Sequence, residues 1–258
     1  MLSVLPPPEE RSLSVVAAIP ARYNSQRFPG KPLAQLRGKP LVQHVWERAR
    51  EAACFARVVI LTDDRRIWET ARAFGAEVEM TPVELPSGTD RIAWAARHWN
   101  CLGVVNVQGD EPLVNPEDLA RVASELLKPE AFPIVTLAAK AEPEDQNNPN
   151  VVKVVWDRFG RALYFSRASI PYPRNQPASP LWKHVGVYGY RLATLLCLAT
   201  LEATPLERTE SLEQLRALEN GIPIQVLPGA HPSIGVDTPE DLARLERLFD
   251  TLSEGEKS

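Results

Sequence analysis

The chain has 258 residues, which is enough for one large domain with a sizeable buried core. Its formal net charge of -4 argues against a protein that coats nucleic acid through a basic surface, so any cationic site must be local. No apolar run approaches the roughly 20 residues that a membrane helix needs. We therefore expect neither nucleic acid nor a membrane as a partner.

The two ends and the cysteines give the next expectations. Residues 1–12 contain three consecutive prolines and lack the basic start of a signal peptide, so we predict a flexible leader there. Residues 252–258 are predicted to be a polar tail. The three cysteines have no C-x-x-C spacing, and this pattern is typical of a reducing cytoplasm. We expect core thiols at Cys54, Cys101 and Cys197.

Apolar β-branched runs alternate with amphipathic stretches in the first half of the chain. The runs predict strands at 15–18, 57–62, 76–80 and 103–108, and the amphipathic stretches predict helices at 40–53, 65–74 and 88–99. A further helix begins at Pro116 behind Asn115, a typical N-cap residue. Such alternation is typical of a three-layer α/β fold, with a mostly parallel sheet covered by helices on both faces.

The pattern changes after about residue 140. Residues 151–166 read as a β-hairpin, 174–180 as a loop and 184–190 as a strand. Helices follow near 191–201 and 206–220, then a strand at 222–227 and a closing helix capped by Thr238. We predict a single domain over 13–251, in which about 140–190 form a middle lobe rather than a separate domain.

A basic loop, "IPARYNSQRFPGKP" (19–32), follows the first strand. In α/β folds this position lies at the carboxyl edge of the sheet, where ligands bind. Arg22, Arg27 and Lys31 suit phosphate groups, and the proline and glycine residues would limit the ordering entropy lost on binding. The loop is neither a dinucleotide fingerprint nor a Walker loop. A solvated basic turn is the alternative interpretation.

Two carboxylates are predicted at the same edge. Asp110 follows the strand at 103–108, and Asp237 precedes the closing helix. Mg²⁺ takes oxygen ligands, usually one or two carboxylates together with substrate phosphates. The alternative is that both are turn or cap residues, but Asn115 already supplies the cap of the helix that follows Asp110. Together the two carboxylates could hold a cation.

Two further segments carry polar side chains. "LPSGTDR" (85–91) enters a helix and suits a polar ligand, although capping by Ser87 or Thr89 is the favoured explanation. In the middle lobe, strand alternation places His184, Gly186 and Tyr188 on one face. With Arg167, Lys183 and Arg191, these side chains suit the carboxylate and hydroxyls of an acidic sugar. A structural, hydrogen-bonded histidine is the alternative.

These segments, in this order, resemble the 3-deoxy-manno-octulosonate cytidylyltransferase (CMP-KDO synthetase) family. The resemblance covers about residues 14–249 and rests on "IPARYNSQRFPGKPL", "SGTDR", "NVQGDEP", "NPNVVKVV", "ALYFSRASIPYPR", "KHVGVYGYR", "LERTESLEQLRALENG" and "GVDTPEDL". It implies a nucleotide-diphospho-sugar transferase-like fold with a small β-rich sugar-binding or dimerisation lobe. It also implies a cytoplasmic homodimeric nucleotidyltransferase that uses Mg²⁺ to convert CTP and KDO (3-deoxy-D-manno-octulosonate) into CMP-KDO and diphosphate for bacterial lipopolysaccharide biosynthesis.

The resemblance also implies roles for individual residues. Catalytic roles fall to Lys31, Arg27, Asp110 and Asp237, of which Asp110 and Asp237 would be the metal ligands. Nucleotide-binding roles fall to Ala21, Arg22, Ser25, Arg27, Lys31, Ser87, Arg91 and Gln108. Sugar-binding roles fall to Arg167, His184, Tyr188, Glu213 and Gln214. Without the resemblance, the helix that carries Glu213 and Gln214 reads as an ordinary amphipathic surface helix.

Two departures from the family pattern bear on the sugar, namely residue 90 and a stretch at 173–182 that is shorter than in some members. Neither is assigned to sugar selection, and KDO remains the expected sugar because it is the commoner substrate. Asp90 in "SGTDR" stands where many KDO enzymes carry glutamate. Relatives with nearly the same motifs activate the 8-amino analogue of KDO, and sialic acid is a further acidic-sugar alternative. A non-catalytic nucleotide-binding protein is the alternative from a different functional class, but retention of Lys31, Asp110 and Asp237 argues against it.

Overall fold

A computed structural model describes residues 14–24, 27–175, 180–231 and 234–255. The predicted leader lies outside these residues, as do Ser25 and the last three residues of the predicted polar tail. The remaining residues of that tail, 252–255, belong to the closing helix, which runs on to Gly255. The predicted polar tail stays a prediction, and its first four residues are helical.

Strands and helices alternate along the first half of the chain, as predicted. The strands are β1 (Val15–Ala21), β2 (Gln35–Leu36), β3 (Lys39–Pro40), β4 (Arg57–Thr62), β5 (Glu77–Met80), β6 (Gly103–Asn106), β7 (Ile134–Lys140), β8 (Lys153–Trp156), β9 (Ala162–Ser166), β10 (Trp182–Arg191) and β11 (Ile224–Pro228). The helices are α1 (Leu41–Glu51), α2 (Arg65–Ala73), α3 (Gly88–Ala96), α4 (Pro116–Leu127), α5 (Leu192–Leu198), α6 (Pro205–Glu210), α7 (Gln214–Glu219) and α8 (Pro239–Gly255). Short 3-10 helices occupy Lys31–Leu33 and Pro143–Asp145.

The central sheet has the strand order β11-β7-β10-β6-β1-β4-β5. Within this order the pairs β11–β7, β6–β1, β1–β4 and β4–β5 are parallel, and β10 runs antiparallel to both of its neighbours. The mostly parallel sheet is confirmed. The sequence pattern did not predict β7, which lies beside the antiparallel strand.

Helices cover both faces of this sheet, as predicted. Val16 and Ala18 of β1 pack into one core with α3, α5 and α7. Ala17 and Ile19 of the same strand pack into the other core with α1, α2 and α4. This alternation follows from the two-residue repeat of a strand, and it produces the three-layer architecture.

The predicted hairpin is confirmed as β8 and β9, which pair antiparallel. It joins the central sheet through β10, where Lys153 lies opposite Lys183. Because β10 lies between β6 and β7, the segment 140–190 shares the central sheet with the rest of the chain. The predicted boundaries of the domain and its middle lobe stay predictions.

Three local predictions have clear outcomes. Asn115 and Thr238 cap α4 and α8, with their side-chain oxygens accepting from the backbone N–H groups of Glu117 and Asp241. The helix predicted over 206–220 is divided into α6 and α7, because Ser211 adopts a left-handed backbone conformation with φ 53°. Core thiols were expected at all three cysteines, but Cys54 and Cys197 are exposed and only Cys101 is buried. Cys54 follows the end of α1, and Cys197 lies on the solvent side of α5.

Across the described residues, none of the helices combines the length and apolar character required to cross a bilayer.

Candidate active site

Three loops meet at the carboxyl edge of the central sheet. β1 and β6 are parallel neighbours, so the basic loop after β1 and the acidic loop after β6 leave the sheet side by side. The third loop precedes α8 and carries Asp237. The backbone N–H of Val236 donates to the carbonyl of Asp110 at 2.8 Å, which fastens this third loop to the second. Parallel strand direction therefore gathers residues that are far apart in the sequence.

The turn at Gly30 directs Lys31 into the site. Gly30 has a φ of 72°, and a Cβ there would lie 3.2 Å from the ring of Tyr23. A 3-10 helix starts directly after it at Lys31. The Lys31 Nζ lies 2.6 Å from Oδ2 of Asp110 and 3.3 Å from Oδ1 of Asp237. The glycine predicted to stiffen the loop is thus required by the backbone conformation.

The two carboxylates surround positive charge. Arg27 lies 3.1 Å from Oδ2 of Asp237, so this carboxylate contacts two cationic side chains. Asp110 and Asp237 converge on the Lys31 ammonium, which identifies the space between them as one that favours a cation. Among the described residues no group of three or more metal-binding side chains occurs. The donor set fits a hard cation held by two carboxylates and completed by substrate phosphates.

Arg22 joins the basic loop to the loop before α3. Its guanidinium donates to the carbonyl oxygens of Leu85 at 2.5 Å and Pro86 at 3.0 Å. Ala21 is buried at the end of β1. The structure therefore places Ala21 and Arg22 at the carboxyl edge of the sheet. Their predicted contacts with a nucleotide stay predictions.

The loop at 85–91 shows the capping predicted for it. Ser87 is the N-cap of α3: its Oγ accepts from the backbone N–H of Asp90 at 3.1 Å and donates to the Asp90 carboxylate at 2.8 Å. Arg91 is fully buried and donates to Asp63 at 2.7 Å and to Thr81. Burial lowers the pKa of Arg91, although Asp63 opposes the shift. These contacts give Ser87 and Arg91 structural roles, and their predicted nucleotide contacts stay predictions.

A cavity of about 480 Å³ opens beside the carboxylate pair. Its lining includes Gln108, Asp110 and Asp237, together with every residue to which a sugar-binding role is assigned: Arg167, His184, Tyr188, Glu213 and Gln214. A second cavity of about 750 Å³ shares Arg167, His184 and Asp237 with the first and adds Arg27 and Lys183. The two cavities form one cleft, which brings the predicted sugar residues together with Gln108 and Arg27 of the predicted nucleotide set.

The two remaining cations of the middle-lobe set have other contacts. Lys183 lines the second cavity and forms an ion pair with Asp145 at 2.8 Å. Burial alone would raise the pKa of Asp145, but the hydrogen bonds from Lys183 and the backbone of Glu142 lower it. Arg191 donates to the carbonyl of Lys128 at 2.5 Å and is absent from the lining of both cavities.

Glu213 and Gln214 reach the cleft because of the break between α6 and α7. The left-handed Ser211 turns the chain, so that residues 211–214 line the 480 Å³ cavity. The Thr89 hydroxyl donates to Oε2 of Glu213 at 2.8 Å, which connects α3 to this turn. Periodicity alone conceals the break, since serine is not a residue that typically marks a left-handed position.

Arg167 is held by a buried network that sequence reasoning missed. Its backbone N–H donates to the Glu210 carboxylate at 3.0 Å, and its Nε donates to the Glu210 carbonyl at 2.7 Å. Lys153 is completely buried, and its Nζ donates to the carbonyls of Asn148, Val151 and Arg167 at 2.9, 2.7 and 2.7 Å. Burial lowers the pKa of Lys153. A lysine inside the apolar run "VVKVV" is the signal that could have revealed it.

Two other cleft residues follow from the same strands. Glu111 comes directly after Asp110 and lines both cavities. Asn106, at the end of β6, lies opposite Tyr188 in the sheet and lines the 480 Å³ cavity. Both residues belong to the segment "NVQGDEP", which the sequence places at the end of a strand, so the prediction of site residues there could have included them.

The rings of His184 and Tyr188 lie close together, with centroids 5.1 Å apart. Burial lowers the pKa of His184 to about 3.

Comparison with known proteins agrees with this arrangement. The family profile described as "Cytidylyltransferase" matches residues 16–224. The 3-deoxy-manno-octulosonate cytidylyltransferase of Syntrophotalea carbinolica is 50% identical over 244 residues, covering 91% of this chain and 98% of that protein. The enzyme of the same name from Solibacter usitatus is 48% identical over 237 residues, covering 91% and 94%.

A solved structure supports the same relationship. The CMP:2-keto-3-deoxy-manno-octonic acid synthetase complexed with CTP superposes with a TM-score of 0.88 at 40% identity, covering 92% of this chain and 99% of that one. The chain belongs to the cytidylyltransferase family and, within it, to the 3-deoxy-manno-octulosonate cytidylyltransferases.

Proposed function

We propose that this protein is a nucleotidyltransferase that transfers the cytidylyl group of CTP to KDO, forming CMP-KDO and diphosphate. The observation that carries this proposal is one cleft whose lining joins Asp110 and Asp237, the two carboxylates that contact Lys31, with Arg167, Glu213 and Gln214. The names of the relatives, and the CTP in the related solved structure, supply the identities of nucleotide and sugar.

The basic loop serves the triphosphate. Lys31 and Arg27 already contact the carboxylates at the sheet edge, so their charges lie beside the position that a bound triphosphate would take. Arg22 fixes the loop against the segment before α3. Gln108 and the N-terminal turn of α3 then lie on the cavity side, where base and ribose would contact them. Ser25 is proposed to join the phosphate contacts on the resemblance alone.

Mg²⁺ is the proposed cofactor, with Asp110 and Asp237 as its protein ligands. When bound, it would neutralise phosphate charge and lower the pKa of the attacking hydroxyl. The fit rests on two carboxylates that converge on one cationic nitrogen, at 2.6 and 3.3 Å. Lys31 remains close enough to share the charge of both carboxylates.

The opposite wall of the cleft serves the sugar acid. Arg167 is the cationic side chain there whose guanidinium suits the carboxylate of KDO. Glu213 and Gln214 offer acceptors and donors for hydroxyl groups, while His184 and Tyr188 form the floor. Because the backbone of Arg167 is held by Glu210 and Lys153, this wall is preorganised.

The chemistry is one displacement at phosphorus. The bond from the anomeric oxygen of KDO to the α-phosphorus forms as the bond to the diphosphate oxygen breaks, and the hydroxyl proton is released to solvent. Lys31 and Arg27 stabilise the negative charge that develops on the departing diphosphate. The cleft holds the sugar in line with the leaving group, so positioning and charge neutralisation supply the rate enhancement.

Assembly and cellular context are further parts of the proposal. Three exposed apolar side chains on and near the hairpin suit a homodimer interface: Phe159, Leu163 and Tyr172. The cysteines form no disulfide, which suits a reducing cytoplasm. The product would supply the sugar for bacterial lipopolysaccharide.

A substrate panel tests the proposal. Diphosphate release is measured with CTP and KDO over a range of Mg²⁺ concentrations, and in parallel with 8-amino-KDO, a sialic acid and UTP. We expect Mg²⁺-dependent release with CTP and KDO that exceeds every other pair. Greater diphosphate release with 8-amino-KDO or with sialic acid would identify that sugar as the substrate in place of KDO. Absence of diphosphate release with every nucleotide–sugar pair would favour a non-catalytic nucleotide-binding protein.

A further inference from the structure

Thr136 lies at the centre of β7, completely buried, beneath the floor of the cleft. It faces an irregularity in β10: Leu137 pairs with Val185, but Thr136 pairs with Tyr188, so two residues of β10 are left out of the register. The Thr136 Oγ1 lies 2.8 Å from the carbonyl oxygen of Val187 and 3.4 Å from that of Val185. The Thr136 hydroxyl is therefore the donor that these two carbonyl oxygens face at the irregular part of the strand pairing.

The same oxygen lies 3.1 Å from Nε2 of His184. A threonine hydroxyl has a single proton, and a carbonyl oxygen only accepts. The hydroxyl proton is therefore directed to the carbonyls, with Val187 at the shorter distance. The hydrogen bond to His184 then requires Nε2 to be the donor and Oγ1 the acceptor. Proton accounting thus assigns the imidazole as the Nε2–H tautomer, with its free lone pair on Nδ1.

Packing fixes the orientation of this ring. The Phe165 ring meets it edge-on, with centroids 5.3 Å apart, and the Tyr188 ring lies 5.1 Å away on a tilted plane. His184 lines both cavities of the cleft. Within the described part of the chain, no hydrogen bond reaches Nδ1. A ligand in the cleft is the partner that remains for this lone pair.

We propose that Thr136 is a positioning residue that holds His184 as the Nε2–H tautomer, so that Nδ1 accepts a hydrogen bond from a hydroxyl group of the bound sugar. This inference rests on the proposed function, since the sugar is the ligand of that wall. The inference gives His184 and Arg167 different roles in sugar binding. Nδ1 of His184 is a neutral hydrogen-bond acceptor, so it binds a hydroxyl group and not a carboxylate. The carboxylate of the sugar is then bound by Arg167. Thr136 acts through His184 and does not contact the ligand.

Nitrogen NMR of the full-length protein with labelled histidine tests the tautomer without any substrate. The chain has four histidines, and His184→Gln identifies the relevant signals. In the wild type we expect Nε2 in the protonated range and Nδ1 in the unprotonated range. Thr136→Ser keeps the hydroxyl and should preserve this pattern, whereas Thr136→Val keeps the shape, removes the acceptor and should give a mixture of tautomers.

Steady-state kinetics provide the functional readout. Thr136→Val should raise the KM for KDO about tenfold, which corresponds to the loss of about 1.4 kcal/mol, with the KM for CTP changed less than about twofold. Thr136→Ser should restore the wild-type KM. Equal rises in both KM values would indicate a general packing defect and would contradict the proposal.

The wild-type spectrum decides the outcome even if Thr136→Val fails to fold. A protonated Nδ1, a doubly protonated ring, or a tautomer that survives Thr136→Val would overturn the inference. Failure of the proposed function has a different signature: the expected tautomer would be present, but CTP and KDO would give no diphosphate. In that case the tautomer assigned to His184 would be correct, and the assignment of KDO as the substrate would be wrong.

Discussion

Lys31 and Asp110 form an ion pair between two loops that lie 79 positions apart in the sequence, with 2.6 Å between Nζ and Oδ2. Only 13% of the Lys31 side chain is exposed, and its ammonium also contacts Asp237 at 3.3 Å. Lys31 therefore shares both carboxylates with any divalent cation that they bind. This relationship links the residue proposed for the leaving diphosphate to the proposed metal ligands.

Replacing Lys31 should separate these two roles. In Lys31→Met the carboxylates lose their ammonium partner, so we expect the protein alone to bind Mn²⁺ about tenfold more tightly, by electron paramagnetic resonance. We also expect turnover to fall by about 10²-fold or more, because charge on the leaving group is no longer neutralised. Lys39→Met, which removes a surface ion pair with Glu47, is the matched control. Unchanged Mn²⁺ affinity in Lys31→Met would contradict the shared site.

Asp110→Asn tests the acidic member of the pair. The variant keeps the shape of the side chain, so we expect turnover to fall by about 10³-fold or more as the site loses a metal ligand. The Asp110 side chain is 30% exposed, so the free energy of unfolding should change by less than about 1 kcal/mol. Urea denaturation and diphosphate release measure the two quantities. Glu47→Gln serves as the control, and a comparable loss of folding and activity in Asp110→Asn would indicate a structural role.

Lys153→Met should affect both stability and sugar binding. The three carbonyls that Lys153 bonds would lose their donor in a buried position, and we expect the free energy of unfolding to fall by about 3 kcal/mol. Because one of these carbonyls belongs to Arg167, the KM for KDO should rise more than the KM for CTP. Lys140→Met, at an exposed position at the end of β7, should change stability by less than about 0.5 kcal/mol. A wild-type KM for KDO in Lys153→Met would show that Arg167 is positioned without it.

The low pKa of the partly buried His184 predicts a pH dependence of stability. Burial lowers its pKa to about 3, whereas an unfolded histidine titrates near about 6.5. Below the unfolded pKa the unfolded chain binds a proton that the folded protein does not, so stability is lost as the pH falls from 6.5 toward 3, by up to about 1.4 kcal/mol per pH unit. Carboxylates contribute a fall in the same direction, so the comparison must be with His184→Gln.

Urea denaturation of both proteins at about pH 7.5, 6 and 5 isolates the histidine. The stability difference between wild type and His184→Gln should shift against the wild type by about 2 kcal/mol between the highest and lowest of these values. A difference that stays constant with pH would mean that the folded His184 titrates like an exposed histidine.

The sequence predicted what depends on local periodicity and caps, and it failed where tertiary contacts decide. The five apolar residues on one face of α1 are buried, and the limits of β4 match the predicted strand. Strand direction is set by partners, so the antiparallel placement of β10 was not readable from its own residues. The left-handed Ser211 likewise depends on its surroundings, and it brings Glu213 into the cleft.

The sequence likewise predicted some residues of the site and not others. Residues at strand ends, such as Asp110, were predicted from their place at the carboxyl edge of the sheet. Supporting residues were missed, because Lys153 and Thr136 lie in buried strands and act through backbone carbonyls and a histidine ring. Their importance comes from what they contact in the folded chain, which no spacing pattern records.

Product analysis of CTP, KDO and Mg²⁺ with the purified protein tests the central claim most directly. Phosphorus NMR should show a new phosphodiester of CMP and KDO together with an equal amount of diphosphate, and neither should appear with Asp110→Asn. Hydrolysis of CTP without a sugar adduct, or equal product formation by Asp110→Asn, would contradict the account.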